Sequence, residues 1–384
     1  MNYLKKLASQ TAVYGLSSVI GRLLNYLLVP LYTRYFLPEE YGVVTEVYAY
    51  VAFLIIILTY GFETAFFRFS KKEQNKNVVY STALISLIIS SSVFIILMFF
   101  GSTSIANFLG YGIEGKFIKW FAIIVGFDAI SAISFAKLRQ EEKAIQFTSI
   151  KLVGIFINIC LNIYFIVYKQ LGIEYVFISN LISSVVIIVC LFPEMKKVQL
   201  KFDADLWKKM ITYSLPLVVA GLAGMVNEAI DRVLLKHLLT DTQTAAYELG
   251  LYGAFYKLSI IMVLFIQTFR FAAEPFFFAQ YSENGNKKVY ADVMKYFVIM
   301  MIIIFLAGTI FYDVLISFLG PAYHDQRGFL VVSVLLLANL FLGIFFNLSV
   351  WYKLTDKTLY AAYLSVFGAL ITLLLNSILI PKIL

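Results

Sequence analysis

The stretch VYSTALISLIISSSVFIILMFFG, residues 79–101, carries no charged side chain. Wound as an α-helix at 1.5 Å per residue, it is long enough to cross a hydrocarbon layer of about 30 Å. Working outward from it, comparable apolar blocks recur along the whole chain. About eleven candidate spans can be drawn, at 10–35, 43–67, 79–101, 117–136, 148–168, 175–192, 210–236, 246–272, 291–313, 328–351 and 359–380. Of the 384 residues 61% are hydrophobic and only 14% charged, against about a quarter charged in a soluble domain. Strict alternation of apolar and polar residues, the mark of a membrane β-barrel, is absent. The expected fold is an all-α integral membrane bundle, and the connections are too short to house a soluble catalytic domain.

The first block, around Thr11 to Thr33, is too long for a signal-peptide core and lacks a small-residue cleavage site, so it reads as a retained helix. Basic residues in the loops set the orientation. Lys5, Lys6, Arg68, Lys71, Lys72, Lys76, Lys137, Arg139, Lys143, the lysines between Lys196 and Lys209, Lys287, Lys288, Lys353 and Lys357 fall on one side. The smaller set of Arg34, Lys116, Lys119, Lys169, Lys236, Arg327 and Lys382 falls on the other. The N-terminus is therefore expected in the cytoplasm, and the net charge of +8 is a topology signal. No basic stripe with stacking aromatics lies outside the spans, which argues against nucleic acid as a partner.

The chain also repeats itself. Tyr80 and the later Phe108-Leu109-Gly110 are matched, at one and the same interval, by Tyr290 and Phe318-Leu319-Gly320. Gly154, Leu161-Asn162 and Ile166 are matched likewise by Gly368, Leu375-Asn376 and Ile380. Two copies of a six-span unit in the same orientation imply a pseudo-two-fold axis along the membrane normal, a transporter architecture. The expected division is an N-terminal lobe at 1–200 and a C-terminal lobe at 201–384. The second lobe lacks a counterpart of span six, so a truncated form is expected. Chance matching among Leu-, Ile- and Phe-rich helices is the competing explanation.

Ionisable residues inside spans are costly and need a cavity or a partner. Arg22 lies about 18 Å into span one, and Asp128 and Lys257 about 16 Å into theirs. Thr11, Gly15, Ser18, Arg22 and Asn25 step by three or four residues and share one helical face. In span seven Gly221, Gly224, Glu228 and Asp231 share a quadrant with Arg232 beside it. Span eight adds Lys257, Gln267, Arg270 and Glu274; span two adds Glu63 and Arg68. Pro30 and Pro216 are expected to bend spans one and seven.

Plainer roles exist for several of these residues. Arg270 and Glu274 form an i,i+4 pair, and Glu63 and Arg68 can cap a helix or snorkel. Asp128 can simply neutralise Arg22 or Lys257. A mid-membrane cation suits an anion such as a phosphate or pyrophosphate, which cannot cross hydrocarbon unaided. No phosphate-binding loop, converging catalytic set or metal spacing occurs. Cys160 and Cys190 sit in apolar runs, and His237 and His324 stand apart in short loops. The chain is therefore expected to be no enzyme and to need no cofactor.

Further segments carry a resemblance. They are Phe36-Leu37-Pro38-Glu39-Glu40-Tyr41-Gly42, Gly61-Phe62-Glu63-Thr64-Ala65 with Arg68-Phe69, Ile230-Asp231-Arg232, Tyr256-Lys257-Leu258, and Phe269-Arg270 with Glu274-Pro275-Phe276. With these the chain resembles polysaccharide-biosynthesis flippases of the Wzx type, in the multidrug/oligosaccharidyl-lipid/polysaccharide exporter superfamily. The resemblance implies a MATE-like fold of two six-helix lobes; family members usually carry twelve to fourteen helices. It further implies movement of an undecaprenyl-pyrophosphate-linked oligosaccharide to the periplasmic leaflet of a bacterial inner membrane. O-antigen or lipopolysaccharide assembly is then the setting, with a polymerase and glycosyltransferases as neighbours. It places Arg22, Lys257 and Arg270 on the substrate; Asn25 and Ser18, on the polar face of span one, and Gln267 of span eight are expected beside them. Asp128, Glu63, Glu228, Asp231, Arg232, Glu274 and Arg68 are left for ion coupling or charge pairing. A cation-coupled multidrug exporter of the same superfamily is the alternative, and a membrane polymerase or glycosyltransferase a remote one.

Replacing Arg22 and Lys257 together by glutamine is predicted to abolish surface polysaccharide at normal protein level. Normal polysaccharide in cells carrying that double variant would contradict an anion-binding cavity.

Overall fold

The computed structural model describes residues 20–21, 23–72, 75–110, 115–199, 201–239, 241–282, 287–355 and 359–383. The described residues are helical with short connections and contain no strand. In chain order the helices are α1 Leu28–Tyr35, α2 Pro38–Thr59, α3 Phe62–Lys72, α4 Lys76–Phe108, α5 Lys116–Gln140, α6 Ala144–Asn162 and α7 Glu174–Met195. There follow α8 Ala204–Leu238, α9 Thr242–Ser282, α10 Lys287–Ile310, the short α11 Tyr312–Ile316, α12 Gly328–Leu354 and α13 Leu359–Ile383. Ten helices among the described residues are long and apolar enough to cross a membrane. They match the expected spans from 43–67 onward. They overrun those spans at their ends because polar residues such as Lys76 and Lys116 continue the helix into the interface. The expected first span lies mostly outside the described residues.

Two interruptions follow from local chemistry. Helical turns at 23–26 give way at Leu27, one turn before Pro30, which has no N–H to donate and crowds the preceding carbonyls. Between α2 and α3, Tyr60 and Gly61 take positive φ, +33° and +70°. Glycine adopts that region without strain, and the chain turns there before the Phe62-Glu63-Thr64 segment. Pro216 is accommodated inside α8. After Asn162 the last turns of α6 widen into a π-helical stretch, Ile163–Tyr168.

By contact the chain forms two compact units that do not coincide with a cut at residue 200. One comprises residues 46–234 and 368–384, the other residues 1–45 and 235–367. The lobes 1–200 and 201–384 remain a division drawn from the repeat. In the 46–234 unit α5 runs through the centre: 78% of its most apolar window is buried. Its faces carry small residues, Ala122, Gly126, Ala129, Ser131, Ser134 and Ala136, all buried. Lipid tails are as apolar as leucine, so helices in a membrane gain by close van der Waals approach over small side chains. Around it, Phe62, Phe66, Tyr80, Leu84, Leu87, Ile133 and Met210 knit α3, α4, α5 and α8 into one core.

In the other unit α9 and α10 pack against α12, and Ala273, Phe277 and Val350 form a core patch with Phe269, Tyr290 and Val293. The connection beyond α11 is tied by Arg327, which bonds Asp325 at 2.9 Å and Glu248 at 2.9 Å. The hydrogen bonds from Arg327 hold the Asp325 carboxyl below the usual carboxylate range. Its contribution is therefore present above the ordinary aspartate value and lost as pH falls through the depressed one.

Removing the fully buried Phe66 ring as Phe66→Ala is predicted to cost about 3–5 kcal/mol. Phe100→Ala, at a side chain 87% exposed, is predicted to be near neutral. Thermal unfolding in detergent compares them; equal losses would contradict this core.

Candidate functional site

Inside the 46–234 unit, four helices bring polar groups together around Asp128. Its Oδ1 on α5 accepts a hydrogen bond from Ser184 Oγ on α7 at 2.9 Å. One turn earlier on α7, Asn180 donates to the Tyr48 hydroxyl of α2 at 2.8 Å. Asp128 is close enough for its charge to act on that hydroxyl, and Lys151 of α6 supplies an opposite charge. The Lys151 ammonium in turn lies 4.9 Å from the centre of the Phe147 ring. Ser184 and Lys151 are thus the partners described for Asp128; Arg22, expected as one that could neutralise it, lies outside the described residues. A carboxylate so placed can release and accept a proton, or hold a small cation, without meeting lipid.

A second charged group gathers where α5 and α7 end. Glu194, 2% exposed, draws in Lys137, itself 4% exposed, together with Lys143 and Lys197. Lys137 also sits 4.2 Å from the centre of the Tyr80 ring. Two buried opposite charges hold one another; removing either leaves a buried charge and typically costs about 3–5 kcal/mol. Beside the Tyr60–Gly61 turn, Glu63 pairs with Arg139 of α5. Arg68 does not join that pair: its guanidinium stacks 4.0 Å from the centre of the Tyr213 ring on α8. Glu63 and Arg68 thus bind different helices.

In the other unit the basic residues lie along α9. Lys257 is half-buried. Further along, Arg270 is half-buried and stacks its guanidinium 4.2 Å from the centre of the Phe346 ring of α12. Arg270, Phe269, Phe297, Phe346 and Asn347 line a narrow recess whose free volume is about 10 Å³, room for about one water. The Asn347 amide nitrogen is buried there without a hydrogen bond. A guanidinium and an unused N–H donor among aromatic rings can accept an oxyanion or a water bound beside one. Gln267, one turn before Arg270, is half-buried.

Other expected residues fall elsewhere. Arg22 and Ser18 lie outside the described residues, as does the side chain of Glu274. Asn25 and Glu228 are exposed, and Asp231 accepts from the backbone N–H of Arg232 at 2.9 Å, with Arg232 half-buried. Among the described residues no group of His, Cys, Asp or Glu could hold a metal ion. Sequence reasoning passed over Lys151, Tyr48, Asn180, Ser184 and the fully buried Glu46, whose Oε1 accepts from Tyr50 at 3.4 Å. Glu46 and Lys151 were detectable as charges within a few residues of a span end. Ser184 and Asn180, neutral polar residues in an apolar helix, gave no such signal.

The sequence matches the family of polysaccharide biosynthesis proteins over residues 31–324. Among curated proteins no relative matches. Similar solved structures include the lipid II flippase MurJ in an inward closed conformation, at 16% identity and TM-score 0.75, covering 96% of this chain and 82% of that one. The MATE multidrug transporter DinF-BH is similar at 15% identity and TM-score 0.68, covering 98% and 94%. A transporter of the MOP superfamily from Pyrococcus furiosus Vc1 is similar at 14% identity and TM-score 0.56, covering 97% and 84%. These likenesses establish the MATE-like transporter fold.

If Asp128 and Ser184 act as one unit, Asp128→Asn and Ser184→Ala are predicted to be non-additive. The double variant should be more stable than the sum of the single losses by about 0.5–3 kcal/mol. Strict additivity in a double-mutant cycle would contradict the pairing.

Proposed function

The chain belongs to the family of polysaccharide biosynthesis proteins, and from that premise we propose that it is a flippase for an undecaprenyl-pyrophosphate-linked oligosaccharide. It sits in a bacterial inner membrane with its N-terminus in the cytoplasm. It works by alternating access between lobes 1–200 and 201–384, carrying the pyrophosphate past the basic residues Arg22, Lys257 and Arg270. Transport makes and breaks no covalent bond, so the protein is not an enzyme. Its products feed a polymerase, and glycosyltransferases supply its substrate, in O-antigen or related lipopolysaccharide assembly.

The observation that carries this reading is the Arg270 recess. A guanidinium held against Phe346, beside the unused amide of Asn347, offers an oxyanion two kinds of donor inside an apolar half of the chain. Arginine retains its charge at any working pH and grips phosphate oxygens in a fixed geometry. Asp128, half-buried with Ser184 and Lys151 beside it, is the group for ion coupling, since it can change its charge without leaving the protein. The competing reading, export of cationic drugs, needs acidic residues available to the cargo. Glu63 is engaged by Arg139 and Asp128 by Ser184, which weakens it.

In vesicles reconstituted with the protein, a fluorescent polyprenyl-pyrophosphate disaccharide is predicted to cross leaflets faster than in protein-free vesicles. Arg270→Gln should slow crossing at least about tenfold, equal to about 1.4 kcal/mol of lost stabilisation, with Arg270→Lys intermediate. A cationic dye crossing in place of the pyrophosphate lipid would instead support drug export.

A further inference from the structure

Within the unit formed by residues 1–45 and 235–367, residues 33–45 meet α9 and the segment after α11 with main chain lying against main chain. A Cβ added at Gly250 of α9 would stand 1.8 Å from the carbonyl oxygen of Pro38, and one at Gly42 of α2 would stand 2.2 Å from that of Ala246. At Gly320 it would meet the carbonyl oxygen of Thr33 at 1.9 Å, and at Gly253 the Thr45 Oγ1 at 2.3 Å. No real Cβ tolerates such distances. At Gly42, Gly250 and Gly320 the obstacle is main chain, so these positions admit glycine alone in this arrangement. At Gly253 it is a side chain, which can be exchanged. The early turns of α9, and the segment after α11, are thereby pressed onto residues 33–45, which include the first turns of α2.

Directional contacts fix the same join. The Gly320 N–H donates to Thr33 Oγ1 at 3.1 Å, and the Tyr323 hydroxyl donates to the Phe36 carbonyl at 3.1 Å. Tyr323 is wholly buried, its ring edge-on to Tyr41 with centroids 6.0 Å apart, and Tyr41 packs on Tyr32 at 6.3 Å. Arg327 ties Asp325 and Glu248, both on one side of this join. The contacts described across the join are short-ranged: close packing, the hydrogen bonds of Gly320 and Tyr323, and an inserted ring. Such contacts are lost together once the sides part by a few ångströms.

We propose that this join is the reversible closure of the transport path on the face bearing the α1–α2 and α11–α12 connections, with Tyr323 as its peg and Gly42, Gly250, Gly253 and Gly320 as its bearing surface. The placing of that face on the periplasmic side, and the cargo that passes, rest on the proposed function. The join itself rests on the distances above. Opening requires residues 33–45 to leave Gly250, Gly253 and Gly320; closing returns Tyr323 to the Phe36 carbonyl.

A reversible cross-link tests it. The position of a Cβ at Gly253 lies 3.1 Å from Thr45 Cβ, a few tenths of an ångström short of disulfide spacing, which is about 3.5–4.5 Å. In a chain with Cys160→Ala and Cys190→Ala, the pair Thr45→Cys and Gly253→Cys should form a disulfide on oxidation. Oxidation should stop lipid crossing in vesicles, and reduction should restore it. Crossing at an unchanged rate in the fully cross-linked protein would overturn the proposal.

A second readout needs no substrate. Val44→Cys, at a buried position beside the join, should resist a membrane-impermeant maleimide added outside cells. It should label several-fold faster when Tyr323→Ala, or the milder Tyr323→Phe, is added. Equal labelling with and without the Tyr323 change would also overturn the proposal. Labelling that rises as expected in a protein that moves no pyrophosphate lipid would leave the closure standing and refute the proposed cargo.

Discussion

Inside hydrocarbon, a peptide N–H or C=O without a partner costs several kcal/mol, and nothing in the solvent can supply one. Every feature of this chain answers to that constraint. Among the described residues the apolar spans are helical, and several small hydroxyls turn back onto their own helix. Thr33 bonds Val29, Thr59 bonds Ile55 and Ser179 bonds Tyr175, each donating to the carbonyl one turn earlier. Non-helical backbone is confined to places with side-chain or chain partners, as at Tyr60–Gly61 and Gly320–Tyr323.

The same constraint makes charged residues informative. Asp128 is held by Ser184 with Lys151 near, Glu194 by three lysines, Glu63 by Arg139, and Arg270 by an aromatic face. The first three are closed on themselves and explain how the 46–234 unit tolerates acidic residues. The Arg270 recess differs because the Asn347 amide nitrogen beside it is buried without a hydrogen bond. That difference, rather than the presence of charge, separates a candidate binding group from a structural one.

The spans were legible because hydropathy over twenty residues averages out local detail. The break before Pro30 was legible in kind, since proline lacks the donor. The positive-φ turn at Tyr60–Gly61 was not, because a glycine inside an apolar block reads equally as a packing residue. Asp128 could be picked out as a charge within a span, but its partner could not: Ser184 and Lys151 reach it only through the packing of α5 with α7 and α6. The roles of Gly42, Gly250 and Gly253 were invisible for the same reason, since close approach belongs to a pair of helices and leaves no mark on either sequence. Glu63 and Arg68, close on one helix, both read as capping or snorkelling residues, yet α3 turns them toward α5 and α8 respectively.

The account depends on basic residues in the spans meeting water and anion rather than lipid. Lys257→Cys in a cysteine-free chain, treated in native membranes with a small charged thiol reagent, tests this directly. The account predicts reaction within minutes, slowed by added polyprenyl pyrophosphate. A cysteine at 257 that stays unreactive in native membranes yet reacts in denatured protein would contradict it.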